Sequence, residues 1–343
     1  MILRSNERRR AATIIDVAQH ANVSVGTVSR YLNGITVRQP KREAIDKAIA
    51  ALRYNRNAVA KAMRTDRTNM VALLVPGYDE FFAEILASLT RGLAAEGQVL
   101  LTHKHEGDPK ALALAIEFFQ NHRVNAIVTP GVSEVRQQVQ AMVDHGIPVV
   151  FFNNDVADMP VDRVFSKNFE ASRQAVKHLI DIGHRRIAHI AGDRRETTGH
   201  ERQRGYLQAL DDAGIAADPR YIVGGTWKRQ DANIAIMQLM QLPEPPTAIF
   251  TANYVLALAV IDYCRQHNIA LGEDLSLLSF DDVELFRQMH PGVTAVAQPA
   301  SAIGEAISEV VLGHINGIHP AAPRTVMLDC NIILRQTTQP PRA

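Results

Sequence analysis

Residues Thr13–Gly34 read TIIDVAQHANVSVGTVSRYLNG, and their spacing predicts two short helices joined by a tight corner. The first spans Ile15–His20, with Asp16 near its start and Val17 and Ala18 pointing inward. Ala21-Asn22-Val23 make the corner, where asparagine tolerates the left-handed backbone such a turn requires. Ser24 follows, with a hydroxyl able to accept a free backbone N–H of the second helix. That helix carries Val25, Gly26, Thr27, Ser29 and Arg30 on or near one face, with Val28 and Leu32 behind. Small and polar groups with one arginine suit insertion into a DNA major groove. On spacing alone, an ordinary helical hairpin fits as well.

The charge around this stretch narrows the choice. Residues 1–68 hold fourteen Lys or Arg against five acids, a net +9, whereas the whole 343-residue chain carries only +1. A basic head on a mildly acidic body points to a polyanionic partner for the head alone. Residues 1–12 read as a flexible basic arm. Pro40–Tyr54 places Ala44, Ile45, Ala48, Ile49 and Leu52 at helical spacing, a third helix closing a small core. An Ala-rich segment, Asn55–Met63, and a polar stretch, Arg64–Asn69, follow. Cys264 and Cys330 are too few for a disulfide scaffold and lack zinc-ligand spacing. No run has the length of a signal-peptide core or a membrane span, so a cytoplasmic protein with no membrane partner is expected.

From Met70 onward the pattern alternates. Strands are expected at 71–75, 99–102, 126–129 and 148–152, with helices at 82–96, 109–122 and 135–145 between them. The cycle repeats with helices at 169–182, 201–213, 230–240 and 255–267 and strands at 187–191, 248–251 and 275–280. A helix at 302–313 and one last strand near 324–333 complete it. This is an α/β chain of two doubly wound units in series, an arrangement that usually binds a small ligand between its sheets. The motifs of an enzyme are missing: no GxGxxG, Walker loop, GxSxG or HExxH occurs. His184, His189 and His200 share no ligand spacing with a nearby acid and read as core or surface histidines. Catalytic residues, metal and cofactor are all expected to be none.

Several stretches together resemble the lactose/galactose repressor (LacI/GalR) family of bacterial transcription regulators. They are DVAxxAxVSxxTVSRxLNG at Asp16–Gly34, NAVAKAMRT at Asn57–Thr65 and HLIDIGHRRIAHIAG at His178–Gly192, then PTAIFTAN at Pro246–Asn253 and EDLSLLSFDD at Glu273–Asp282. The resemblance implies a helix-turn-helix headpiece (13–56), a hinge helix and linker (57–68) and a periplasmic-binding-protein-like core of two doubly wound subdomains. One subdomain would be 69–164 plus 299–325, the other 165–298 plus 326–338, with 339–343 a tail. It implies a homodimer on operator DNA, probed by a small-molecule effector. Val25, Gly26 and Arg30 would read base edges, and Thr27, Ser29 and Asn33 would lie near phosphates or neighbouring bases. Thr13 and Asn57 join the DNA-contacting set. Met63 falls where the family has an apolar wedge for the minor groove.

For the effector, the family pattern carries over to Arg202 in RQRGY, to Asn253 and to Asp281. Phe81 and Phe82 match the rim of the pocket, and Trp227 matches a stacking aromatic. The departures are Asn153 for an acid, Lys167 for an acid and Tyr254 after Asn253. A cleft with fewer acids and an added lysine is expected to be more positive and to take a sugar acid or sugar phosphate. A purine- or neutral-sugar-responsive regulator, or a cytoplasmic sugar receptor without an operator, is the alternative.

Overall fold

The computed structural model describes residues 12–32, 34–54, 68–318, 320 and 322–342. They fall into two units that divide after Thr68. The basic arm before residue 12 and the expected hinge helix from Asn57 to Arg67 lie outside the described residues.

The first unit packs α1 (Ile14–His20), α2 (Val25–Leu32) and α3 (Gln39–Leu52) around Val17, Ala18, Val28, Ile45 and Ala48, each at most 3% exposed. Asn22 turns the corner at φ 52°, in the left-handed region the sequence implies.

The second unit holds two six-stranded sheets. The first contains β1 (Met70–Val75), β2 (Val99–Lys104), β3 (Ala126–Pro130), β4 (Val149–Phe152), β5 (Asp162–Ser166) and β11 (Thr325–Leu328). Their order is β11-β5-β4-β3-β1-β2, all parallel. The second contains β6 (Ile187–Ala191), β7 (Ile222–Gly224), β8 (Ala248–Thr251), β9 (Ser276–Phe280), β10 (Thr294–Ala297) and β12 (Asn331–Ile333). Here the order is β12-β10-β9-β8-β6-β7, with β12 antiparallel to β10.

Strand periodicity explains why helices cover both faces. Val71 and Leu73 of β1 pack against Ile85 and Leu89 of α4 (Glu80–Ala95) and Ile303 and Ile307 of α12 (Ala300–Ile315). Ala72 and Leu74 face the other way, onto Leu112 of α5 (Pro109–Asn121) and Met142 of α6 (Arg136–Asp144). In the second sheet, Ala188 and Ile190 meet α9 (Arg229–Met240) and α10 (Tyr254–Gln266), while Ile187 meets α7 (Asn168–Asp181) and α8 (Thr197–Asp212). The α4–α12 crossing is close because residue 304 is glycine: a Cβ there would sit 2.7 Å from the Ile85 carbonyl oxygen.

The expected last strand, 324–333, is in fact two. β11 pairs with β5 in the first sheet and β12 with β10 in the second, so the chain changes sheets at Asp329-Cys330. Val326, Met327 and Leu328, expected with the second subdomain, therefore pair within the first sheet. Further changes fall at Lys167, between β5 and α7, and at Gln298-Pro299, between β10 and α12. The chain beyond β12 is packed rather than loose: Thr337 is fully buried, and the Gln339 carbonyl accepts from His184 Nε2 at 2.9 Å.

His189 lies flat between Tyr206 and Phe250, with ring centres 5.1 Å away on each side. Nδ1 donates to the Phe250 carbonyl, and Nε2 has no partner. Burial, with a smaller push from the Arg202 charge, lowers its pKa to about 4. The unfolded chain would take up this proton near pH 6.5, so stability is lost as pH falls from there toward 4. Urea midpoints at pH 7.5, 6 and 5 should decline by an amount equivalent to up to about 1 kcal/mol per pH unit from this group, and His189→Phe should flatten the decline.

Candidate functional site

The headpiece presents its reading helix through two caps. Thr13 closes a capping box: its hydroxyl donates to Asp16 Oδ2 at 2.7 Å and accepts from the Asp16 N–H at 3.3 Å. Its hydroxyl is thus engaged in starting α1, a structural task beside the DNA contact expected of it. Ser24 starts α2, its Oγ accepting from the Thr27 N–H at 3.2 Å. The same Oγ lies 2.9 Å from Thr27 Oγ1, and Thr27 is only 6% exposed. Thr27 therefore turns inward, correcting its expected place on the reading face. Val25 is 41% exposed, Gly26 and Arg30 are exposed, and Ser29 is half-buried. A Cβ at Gly26 would meet only Ser24 Oγ, 4.0 Å away, so that position is open space. Asn33, Asn57 and Met63 lie outside the described residues.

In the second unit the carboxyl ends of the strands carry the candidate effector groups. Asn153 follows β4 at φ 63° and Asp281 follows β9 at φ 70°, each in a left-handed bend that aims its side chain beyond the sheet edge. Arg202, on α8, is 3% exposed. Its Nε donates to Asn168 Oδ1 at 2.9 Å and its Nη1 to the Ala252 carbonyl at 2.6 Å. The guanidinium lies 3.6 Å from the centre of the Phe280 ring and 6.0 Å from that of Trp227. Asp281 Oδ1 accepts from Gln298 Nε2 at 2.7 Å, and Gln298 Oε1 accepts from Ser166 Oγ at 2.8 Å. Asn168 Nδ2 donates back to the Ser166 carbonyl at 3.0 Å. A continuous polar chain from Arg202 to Asp281 thus runs through two of the three places where the backbone changes sheets.

The other expected effector residues divide. Phe81 and Asp281 line a narrow cavity of about 70 Å³ with Glu80, Glu84, Tyr254 and Gln298. Asn153 lines a wider one of about 640 Å³, with Phe165, Ser166, Asn168, Phe169 and Thr197. Phe82 is 8% exposed and packs edge-on against Phe152, so it is core. Asn253 caps α10, its side chain accepting from the Leu256 N–H at 3.0 Å. The Trp227 ring lies on Gly192, where any Cβ would come within 2.2 Å of it, and its indole stands beside the Glu196 carboxylate, opposing the upward push of burial on that acid.

Electrostatics bear on the expected positive cleft. Lys167 is tied to Asp329, Nζ to Oδ1 2.8 Å, with the aspartate 81% exposed, so this charge is spent at the surface. Arg202 spends its Nε and Nη1 donors on Asn168 and the Ala252 carbonyl. Burial, and then the neighbouring Asp281, raise the Asp79 pKa. Burial together with Asp79, Asp281 and Glu80 pushes Tyr254 up to about 12. The wider cavity has two arginines against four acids, and both are paired: Arg163 with Asp155 and Arg204 with Glu201. Both cavities are lined by more acids than bases.

Sequence reading missed Ser166, Asn168 and Gln298, and also Asn154, Glu196 and Thr198. Asn168 stood beside the noted Lys167, and Gln298 follows an apolar run. Neither residue type signals a hinge without knowledge of where the chain changes sheets. Among the described residues, no cluster of His, Cys, Asp or Glu could hold a metal, and no helix is long and apolar enough to cross a membrane.

Residues 13–57 match the family model described as bacterial regulatory proteins, lacI family, and residues 176–338 match a periplasmic binding protein-like domain. The HTH-type transcriptional repressor CytR of Escherichia coli K12 is 30% identical over 98% of this chain and 99% of its own. The ribose operon repressor of Haemophilus influenzae is 28% identical over 95% of this chain and 98% of its own. Among solved structures, a complex of the transcriptional regulator CelR with cellobiose superposes with TM-score 0.72 at 26% identity, covering 95% and 99% of the two chains. The lac repressor dimer bound to operator and the anti-inducer ONPF superposes with TM-score 0.85 at 22% identity, covering 96% and 100%, and establishes the likeness of fold.

Proposed function

The chain belongs to the lacI family of bacterial regulatory proteins, and on that footing we propose an operator-binding repressor controlled by an uncharged, hydroxyl-rich metabolite. The observation that carries the effector class is the set of carboxylates on the narrower cavity, where Asp281 stands with Glu80 and Glu84, and where the charge of Asp281 joins burial in raising the neighbouring Asp79 pKa. Such carboxylates accept from vicinal hydroxyls, Phe81 and Trp227 offer apolar faces to a sugar ring or base, and an added anion gains nothing. Cellobiose, the neutral ligand named with the relative CelR, is of this class.

The core subdomains are assigned here as 69–166 with 299–328 and 168–298 with 330–338, after the sheets their strands join. The protein works as a cytoplasmic homodimer, so that two reading helices meet two half-sites. Leu114 and Phe118, one turn apart on α5 and 67% and 53% exposed, support an apolar contact through the core.

Titration calorimetry of the ligand-free protein against neutral pentoses, disaccharides and nucleosides, and against sugar acids and phosphates, tests the effector class. Binding confined to the neutral series is expected; tight binding of a phosphate with none of a neutral sugar would overturn it. Operator function is read by mobility shift on the DNA flanking its own gene, where a sequence-specific, salt-sensitive complex is expected.

A further inference from the structure

The inter-sheet cleft is fastened by side chains that none of the groups so far assigned to effector or operator includes. Asn154, two residues beyond β4, is 5% exposed. Its Nδ2 donates to Glu196 Oε2 at 2.7 Å. Its Oδ1 accepts from the Thr198 N–H at 3.1 Å and the Thr198 hydroxyl at 2.9 Å. Beside it the Asp155 N–H donates to Thr197 Oγ1 at 3.0 Å. Asn154 and Asp155 extend from the first sheet, whereas Glu196, Thr197 and Thr198 form the start of α8 over the second. With the longer bond from the Thr197 hydroxyl to the Asp155 carbonyl, at 3.5 Å, five hydrogen bonds join the two halves at one point, away from the three places where the backbone crosses.

The local chemistry is selective. The first N–H groups of a helix have no partner within it, and α8 has no side-chain cap from Glu196. Asn154 supplies the missing acceptor from the opposite half. Only an amide does both tasks at once, accepting from Thr198 and donating to the Glu196 carboxylate. Gly131 holds the asparagine in place: its N–H donates to the Asn154 carbonyl at 2.7 Å, and a Cβ at residue 131 would be 2.6 Å from the Asp155 carbonyl carbon. Across the cleft, the contact between the Glu284 N–H and Glu80 Oε2, at 2.8 Å, is single and exposed. Arg202 sits one turn beyond Thr198 on the same helix, so what moves α8 moves both.

We propose that Asn154 and the amino end of α8 form a latch that fastens the two halves of the core to each other across the cleft. Effector binding acts by shifting α8 against this latch. The second statement rests on the effector reading above; the first does not, and it is tested without any ligand.

Hydrogen exchange of the ligand-free full chain reads the latch directly, because the Thr198 amide has no acceptor inside its helix. The latch should slow its exchange on the order of a hundredfold below the open-chain rate. Asn154→Ala should raise that rate about tenfold or more and expand the core in small-angle scattering, whereas Glu196→Gln, whose amide oxygen still accepts from Asn154, should leave both unchanged. A Thr198 amide that exchanges at the open-chain rate in the folded wild-type protein overturns the latch. So does an Asn154→Ala protein with unaltered exchange and scattering. Should that variant fail to fold, the wild-type rate decides alone.

Discussion

Arg202→Ala is expected to remove about 3 kcal/mol of stability from the core and to abolish effector binding, the larger of its two effects being the functional one. Arg202 is 3% exposed, and its two partners, Asn168 Oδ1 and the Ala252 carbonyl, would lose their donor in a place water reaches poorly. Phe280 would lose the cation on its face, and Asp281 a positive charge that opposes its own. Burial lowers the Arg202 pKa while Asp281 pulls it back up, which is the signature of a charge kept inside by its neighbours. Arg202→Lys retains the charge but has no planar fork to serve two acceptors at once, and should recover only part of the stability. Urea unfolding and titration with whichever neutral ligand binds the wild type measure the two effects separately. An alanine variant as stable as the wild type would mean that the polar chain from Arg202 to Asp281 contributes nothing to holding the crossings.

The sequence announced most of this framework because its signals are local. The corner at Asn22, the Ser24 cap and the inward face of α1 depend on residues a few positions apart, and each is where the spacing puts it. The buried parallel strands were legible as apolar runs for the same reason. What failed were features decided at long range. β5, β7 and β10 are short or carry polar residues, and only their sheet neighbours make them strands. The 324–333 segment reads as one strand because nothing in its pattern marks Asp329-Cys330 as the place where it leaves one sheet for the other. The charge balance of the cleft is hard to read in sequence for the same cause. Lys167 counts as a positive charge in sequence, but its partner Asp329 lies 162 positions away and is invisible until the third crossing is drawn. Asp79 and Glu80 are the cap and the first residue of α4, where acids are ordinary.

Arg30→Ala should weaken operator binding by about 1–3 kcal/mol, roughly five- to 150-fold, and relax base preference at one position of each half-site. Arg30 is exposed on α2 and contributes nothing to the headpiece core, so the melting temperature should not move. The comparison that gives this force is with its neighbours. Thr27 is buried against Ser24, so Thr27→Val should cost stability and leave specificity alone. Val25 can offer only a methyl surface to a thymine, and Gly26 offers no side chain at all. Arg30 is then the one long donor on the exposed face formed by Val25, Gly26 and Arg30. Gly26→Ala separates the two uses of that glycine. Space is open on the protein side, so alanine should stabilise α2 by up to about 1 kcal/mol. If the headpiece melts higher yet binds its operator more weakly, the glycine is there for close approach of the backbone to DNA. If binding is unchanged, the reading falls wholly on Arg30, and an Arg30→Ala protein that still discriminates its operator from a scrambled site would remove this helix as the source of specificity.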